Sequence, residues 1–245
     1  MNPEVFNVIQ IEGLGDETEE YRNLTGNIVN GACEIIERHS IPYDFDRLEN
    51  RIAQLKIVRR DGIAHEWSAD ENTLYVSKCN QDGEPYSDEE MIIFATHELM
   101  HFVSEPDGYD EFGDKYFGFN EFFTEYLSFL VVSKIGGINL ESHYKHNSKG
   151  YFGDGRDFDF MKKLTDRIGM GQLLDVYLGR KIDEVENVVG TDALEAMNSY
   201  YDYNYRLYEA MGVPLKRFNE IMANPLFAPQ RQIVDSYINT INSSI

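Results

Sequence analysis

His97, Glu98 and His101 lie together in the stretch "IIFATHELMHFVSEPDG" (92–108). On a helix, residues four apart share a face one turn from each other, so His97 and His101 can aim two imidazoles at one ion. Glu98 is rotated by roughly 100° from His97, which puts its carboxylate beside a coordination position the histidines leave open. Two histidines bracketing one turn with glutamate second form the HExxH arrangement: the imidazoles hold zinc and the glutamate serves as general base. Phe94, Ala95, Leu99 and Phe102 give the same helix apolar faces to bury.

Such a site needs a third protein ligand. Twenty residues after His101 comes "NEFFTEYLS" (120–128), in which Glu121 and Glu125 are again four apart. Two acids in so apolar a helix would repel each other if both were buried and unpaired. The conflict is relieved if Glu121 binds the metal and Glu125 accepts the free ring N–H of a ligating histidine, fixing its tautomer. The plainer alternative is one exposed carboxylate and one surface ion pair. Three protein ligands leave one zinc position open, the layout of a catalytic rather than a closed structural site.

His97-Glu98-x-x-His101 followed by Asn120-Glu121-x-x-Thr124-Glu125 resembles the gluzincin pattern of thermolysin-like zinc metallopeptidases. In that family HExxH is followed on a later helix by an Asn-Glu-x-x-Ser-Asp segment at similar spacing. The resemblance covers about residues 72 to 133. It implies one zinc ion per chain held by His97, His101 and Glu121, Glu98 as general base, and Glu125 in the place of the family's histidine-orienting aspartate. Thr124 replaces Ser and Glu125 replaces Asp, which lengthens that acid by one methylene. The resemblance also implies a zincin-like fold and hydrolysis of a peptide or protein substrate. The substrate would pair in extended form with an edge strand before the active helix, and "NTLYVSK" (72–78), with Leu74, Tyr75 and Val76, is the expected strand. The family's oxyanion donor is a Tyr or His, for which Tyr109, Tyr116, His143 and His146 are the candidates. Metzincins are disfavoured, since "HFVSEPDGYDE" lacks their Gly and third His.

The elements that must position these residues are legible as patterns. Residues 17–39 read as an amphipathic helix with Leu24, Ile28, Ala32, Ile35 and Ile36 on one side, although Gly26 and Gly31 each cost roughly 1 kcal/mol relative to Ala. "RIAQLKIVRR" (51–60) turns extended in its second half, and 63–67 and 72–78 read as strands. Ser87 and Glu90 form a capping box for a helix from about Asp88 to Val103. A second helix covers about Gly118 to Ser133. Beyond the polar loop 141–155 the pattern is almost all helical. The expected fold class is therefore α+β and zincin-like: a small mixed sheet with the active-site helix in an N-terminal lobe (1–106), and a mainly helical C-terminal lobe (107–245) carrying the third ligand, together one catalytic unit.

Outside the motif, His39 and His65 read as structural. The run "YYDYNYRLY" (200–208) reads as interhelical packing, and "GDGRDFD" (153–159) as a turn leading to an N-cap at Asp157. The formal charge of −21 over 245 residues argues against nucleic acid and anionic membranes as partners. Apolar runs such as "FLVV" (129–132) are far too short to span a membrane, and the opening residues lack the basic and apolar regions of a signal peptide. With only Cys33 and Cys79 as thiols, a cytoplasmic setting is expected. A zinc peptidase is the leading functional reading. The alternative is a zincin-fold metal-binding protein with a regulatory or binding role, or a hydrolase of non-peptide amides. A glycosidase pair at Glu121 and Glu125 is rejected, because carboxylates side by side on one helix do not flank a sugar.

Overall fold

The structure, a computed structural model, describes residues 1, 3–62, 65–79, 83–105, 113–136, 156–179, 181–211 and 224–244. It is mostly helical with one small mixed sheet, which makes the fold class α+β. Among the described residues no helix is long and apolar enough to cross a membrane. The chain divides into two compact units, residues 1–110 with 127–138, and residues 111–126 with 139–245. Where the sequence suggested a single boundary after Pro106, the helix that carries Glu121 contributes its earlier part to one unit and its later part to the other.

In the first unit, helix α1 (Thr18–Arg38) buries Tyr21, Ile28, Val29, Ala32, Cys33 and Ile36. The buried stripe is turned slightly from the expected one, leaving Leu24 and Ile35 half-buried. Gly31, counted as a cost from the sequence, has a packing reason. A Cβ there would lie 3.2 Å from Val131 and 3.3 Å from Ile135, so the glycine lets two helices approach closely. Helix α2 (Phe45–Ile52) precedes the sheet, which is built from β1 (Gln10–Glu12), β2 (Lys56–Arg59), β3 (Glu66–Ser68) and β4 (Thr73–Val76). Strand order is β1-β2-β4-β3, with β1, β2 and β4 parallel and β3 antiparallel to β4. Helix α3 (Asp88–Ser104) packs on β3, β4 and α1, burying Leu99, Phe102 and Val103.

This topology corrects one expectation. β4, the "NTLYVSK" strand, is interior: Leu74 pairs with Ile57 of β2 on one side and Trp67 of β3 on the other, and Tyr75 likewise with Val58 and Glu66. Leu74 and Tyr75 are thus paired on both sides and cannot accept a substrate strand, while Val76 pairs with Arg59 of β2. Thr-Leu-Tyr-Val has high strand propensity, but propensity does not distinguish a central strand from an edge. The edge strands of this sheet are β1 and β3.

Helix α4 (Gly113–Gly136) starts one turn earlier than expected and has a non-helical residue at Tyr116 (φ −122°, ψ 19°). In the second unit its apolar positions meet α5 (Arg156–Ile168), α6 (Met170–Leu178) and α8 (Thr191–Met211), and α7 (Ile182–Val189) and α9 (Ala228–Ser244) are the remaining α-helices described. Phe122 has ring centroids 5.7 Å from Phe160 and 5.0 Å from Tyr201, and Phe123 lies 4.9 Å from Tyr177, separations at which aromatic pairs stabilise a core. Gly118 permits the closest crossing. A Cβ there would stand 2.6 Å from backbone atoms of Met197 and Asn198, and the Gly118 N–H donates to Asn198 Oδ1 at 2.7 Å. Asp157 falls in the first turn of α5 rather than at its N-cap.

Candidate metal centre

Helix α3 is secured at both ends. Ser87 caps its N-terminus by accepting from the Glu90 N–H, and Glu90 accepts the Ser87 N–H in return, with Asp88 and Glu89 beside the positive end of the helix dipole. At the other end, carbonyls of the last turn have no partner within the helix. Arg51 Nη1 donates to the Phe102 carbonyl at 2.7 Å, and the Tyr43 hydroxyl donates to that of Val103 at 2.6 Å. The Arg51 guanidinium also lies 4.4 Å from the centroid of the Phe102 ring, a cation–π contact. A helix held at both ends keeps its inward side chains in fixed register.

His97 and His101 use that register. Both are buried, and their Nε2 atoms lie 3.2 Å apart. Two tetrahedral ligands at the ~2.0–2.1 Å zinc–nitrogen distance stand about 3.3–3.4 Å from each other. Two neutral Nε2 atoms placed in this way either share one proton or converge lone pairs on a cation. A carboxylate oxygen of buried Glu121 completes a group in which all three ligand atoms lie within 4.8 Å of one another. A hydrogen bond between two imidazoles has no use for a third donor, whereas a cation between them is favoured by a nearby carboxylate. His97, His101 and Glu121 thus form a buried group that can hold a metal ion.

Glu98, also buried, accepts the backbone N–H of Trp67 at Oε2, at 2.8 Å. Trp67 is in edge strand β3. The same residue donates its indole Nε1–H to Glu105 Oε2 at 2.9 Å, and the other oxygen of Glu105 lies 3.8 Å from His101 Nδ1. Sequence reasoning missed Glu105 and Trp67. A signal for Glu105 was present, since it stands four residues after His101 on the same helix face. Trp67 had none, because a contact 31 residues from Glu98 exists only once the sheet has formed.

Of the other expected site residues, Glu125 is buried one turn after Glu121, between Thr124, which shares a hydrogen bond with the Tyr177 hydroxyl, and Tyr126. Tyr116 is buried and its hydroxyl donates to Glu186 at 3.1 Å, which ties this oxyanion candidate to the packing of the helical unit. Tyr109, His143 and His146 lie outside the described residues. His65 is buried beside Tyr86 and Phe94, with Nε2 2.9 Å from the Ser77 carbonyl, and burial pushes its imidazole down to about 4. Tyr200 and Tyr201 are core residues, 6.0 Å apart by centroid, as the packing reading of that run requires.

The chain matches no protein-family model, no curated protein and no solved structure.

Proposed function

We propose that this protein is a zinc-dependent metallopeptidase of the gluzincin type, with His97, His101 and Glu121 as metal ligands and Glu98 as general base. The observation that carries the reading is the 3.2 Å approach of two buried Nε2 atoms with a buried Glu121 carboxylate in reach. Two imidazoles and a carboxylate are a donor set suited to zinc, and this set has the composition of known catalytic sites. Zinc, when bound, supplies Lewis acidity toward water and toward a substrate carbonyl.

The chain's own groups perform the rest. Glu98 would take a proton from the water that adds to the amide carbonyl carbon and return it to the amine nitrogen as the C–N bond breaks, so one residue serves as base and then as acid. The Trp67 N–H holds that carboxylate in one orientation, which removes the need to order it at the moment of transfer. That N–H belongs to edge strand β3, so the base sits beside an edge of the sheet. The presence of Glu98 favours hydrolysis over a purely structural metal site, which has no use for a base.

The test is a screen of zinc-loaded protein against a broad peptide library. Cleavage that a chelator abolishes supports the peptidase. Intact peptides throughout, from protein shown to carry zinc, would overturn it in favour of a regulatory metal-binding protein or a hydrolase of other amides.

A further inference from the structure

We infer that Glu105 is a positioning residue for His101, held in place by the indole of Trp67. The inference rests on the reading of His97, His101 and Glu121 as metal ligands. His101 faces His97 through Nε2, so coordination requires its proton on Nδ1 and a lone pair on Nε2. Nδ1 is the atom nearest Glu105, 3.8 Å from Oε1. That separation is longer than a hydrogen bond, and the carboxylate acts across it by charge, in a buried setting where such attraction is screened little. Its negative charge favours the Nδ1–H tautomer and turns the Nε2 lone pair inward. Acids beside ligating histidines typically act in this way.

Glu105 is itself buried, and a buried carboxylate must be hydrogen-bonded. The Trp67 indole meets that need at 2.9 Å. The ring is fixed by an edge-on contact with Phe102, centroids 5.0 Å apart, and by the Arg51 guanidinium 5.8 Å from its centroid. Trp67 also donates its backbone N–H to Glu98. One residue of β3 therefore restrains an acid of α3 and the acid that caps its C-terminus, one placed to move protons and the other to orient a ligand.

The test uses tag-free full chain and two readouts. Long-range proton–nitrogen NMR of metal-free protein, with the His101 signal identified by its loss in His101→Gln, is expected to show the Nδ1–H tautomer. The other tautomer in the wild-type chain would overturn the inference. Competition of Zn²⁺ against a chelator is expected to show about 10- to 100-fold weaker binding in Glu105→Gln. Glutamine keeps an acceptor for the indole, so a role limited to packing predicts unchanged affinity. Trp67→Phe, which leaves the charge in place, is expected to lose less. If the wild type takes up Zn²⁺ and Glu105→Gln binds it equally well, this inference fails and the metal centre stands. If the wild type takes up none, both fail.

Discussion

Trp67 donates its backbone N–H to Glu98 Oε2 at 2.8 Å, joining the edge strand of the sheet to the middle of helix α3. A strand N–H that leaves the ladder must find another acceptor, and a buried carboxylate needs a donor. The pairing satisfies both groups and fixes the rotamer of the proposed base. We predict that Glu98→Gln, which can still accept from Trp67, keeps the fold and the metal but loses hydrolysis by about 10²–10⁴-fold. Metal content and initial rates, measured on one preparation, check this. Wild-type rates in the variant would remove Glu98 from the mechanism.

The capping box of α3 makes a separate prediction. Ser87→Ala removes the acceptor for the Glu90 N–H and is expected to cost about 1 kcal/mol of unfolding free energy in urea. Because Arg51 and Tyr43 hold the far end of the helix independently, metal content is expected to stay at the wild-type level.

Gly118→Ala is expected to be worse than an ordinary helix substitution, which would be stabilising by helix propensity alone. The added methyl would meet backbone atoms of α8 at 2.6 Å, and backbone cannot rotate aside. We predict a loss of about 1–3 kcal/mol by urea unfolding, the range for overpacking. A gain in stability would mean that α4 and α8 do not cross this closely.

His65 gives a pH dependence. Burial lowers its imidazole to about 4 from 6.5, so between these values the unfolded chain binds a proton that the folded chain does not. The stabilisation from the neutral buried ring is fully present above about pH 6.5. It is lost as pH falls through about 4 and totals roughly 3 kcal/mol. His65→Phe, which keeps a ring against Tyr86 and Phe94, is expected to gain stability relative to wild type over that interval. A constant difference between the two proteins from pH 7 to pH 4 would contradict a buried neutral His65.

The sequence made the local features of the site readable, and the features it missed are tertiary. The capping box, the spacing of His97 and His101, and the apolar setting of Glu121 are written within single helices, where a period of 3.6 residues places side chains directly. Burial of Ile28 and Ala32 on α1 follows from the same period. Strand order does not. "NTLYVSK" carries the same alternation whether it lies at an edge or in the middle, and its interior place follows from parallel pairing with a segment seventeen residues earlier, Lys56 against Thr73. Gly31 and Gly118 look like helix defects until the partner helix is known. Trp67 could not be connected with Glu98 and Glu105 before β3 had been set beside α3.

Zinc held by His97, His101 and Glu121 underlies the proposed activity. The most direct test is elemental mass spectrometry of tag-free protein beside Glu121→Ala. We expect about one zinc per wild-type chain, as three protein ligands and an open position require, and binding weakened by more than about 100-fold in the variant, beyond the range for residues that only orient ligands. Wild-type protein that binds no zinc when the metal is supplied, or a variant that retains it fully, would rule out a zinc site at His97, His101 and Glu121.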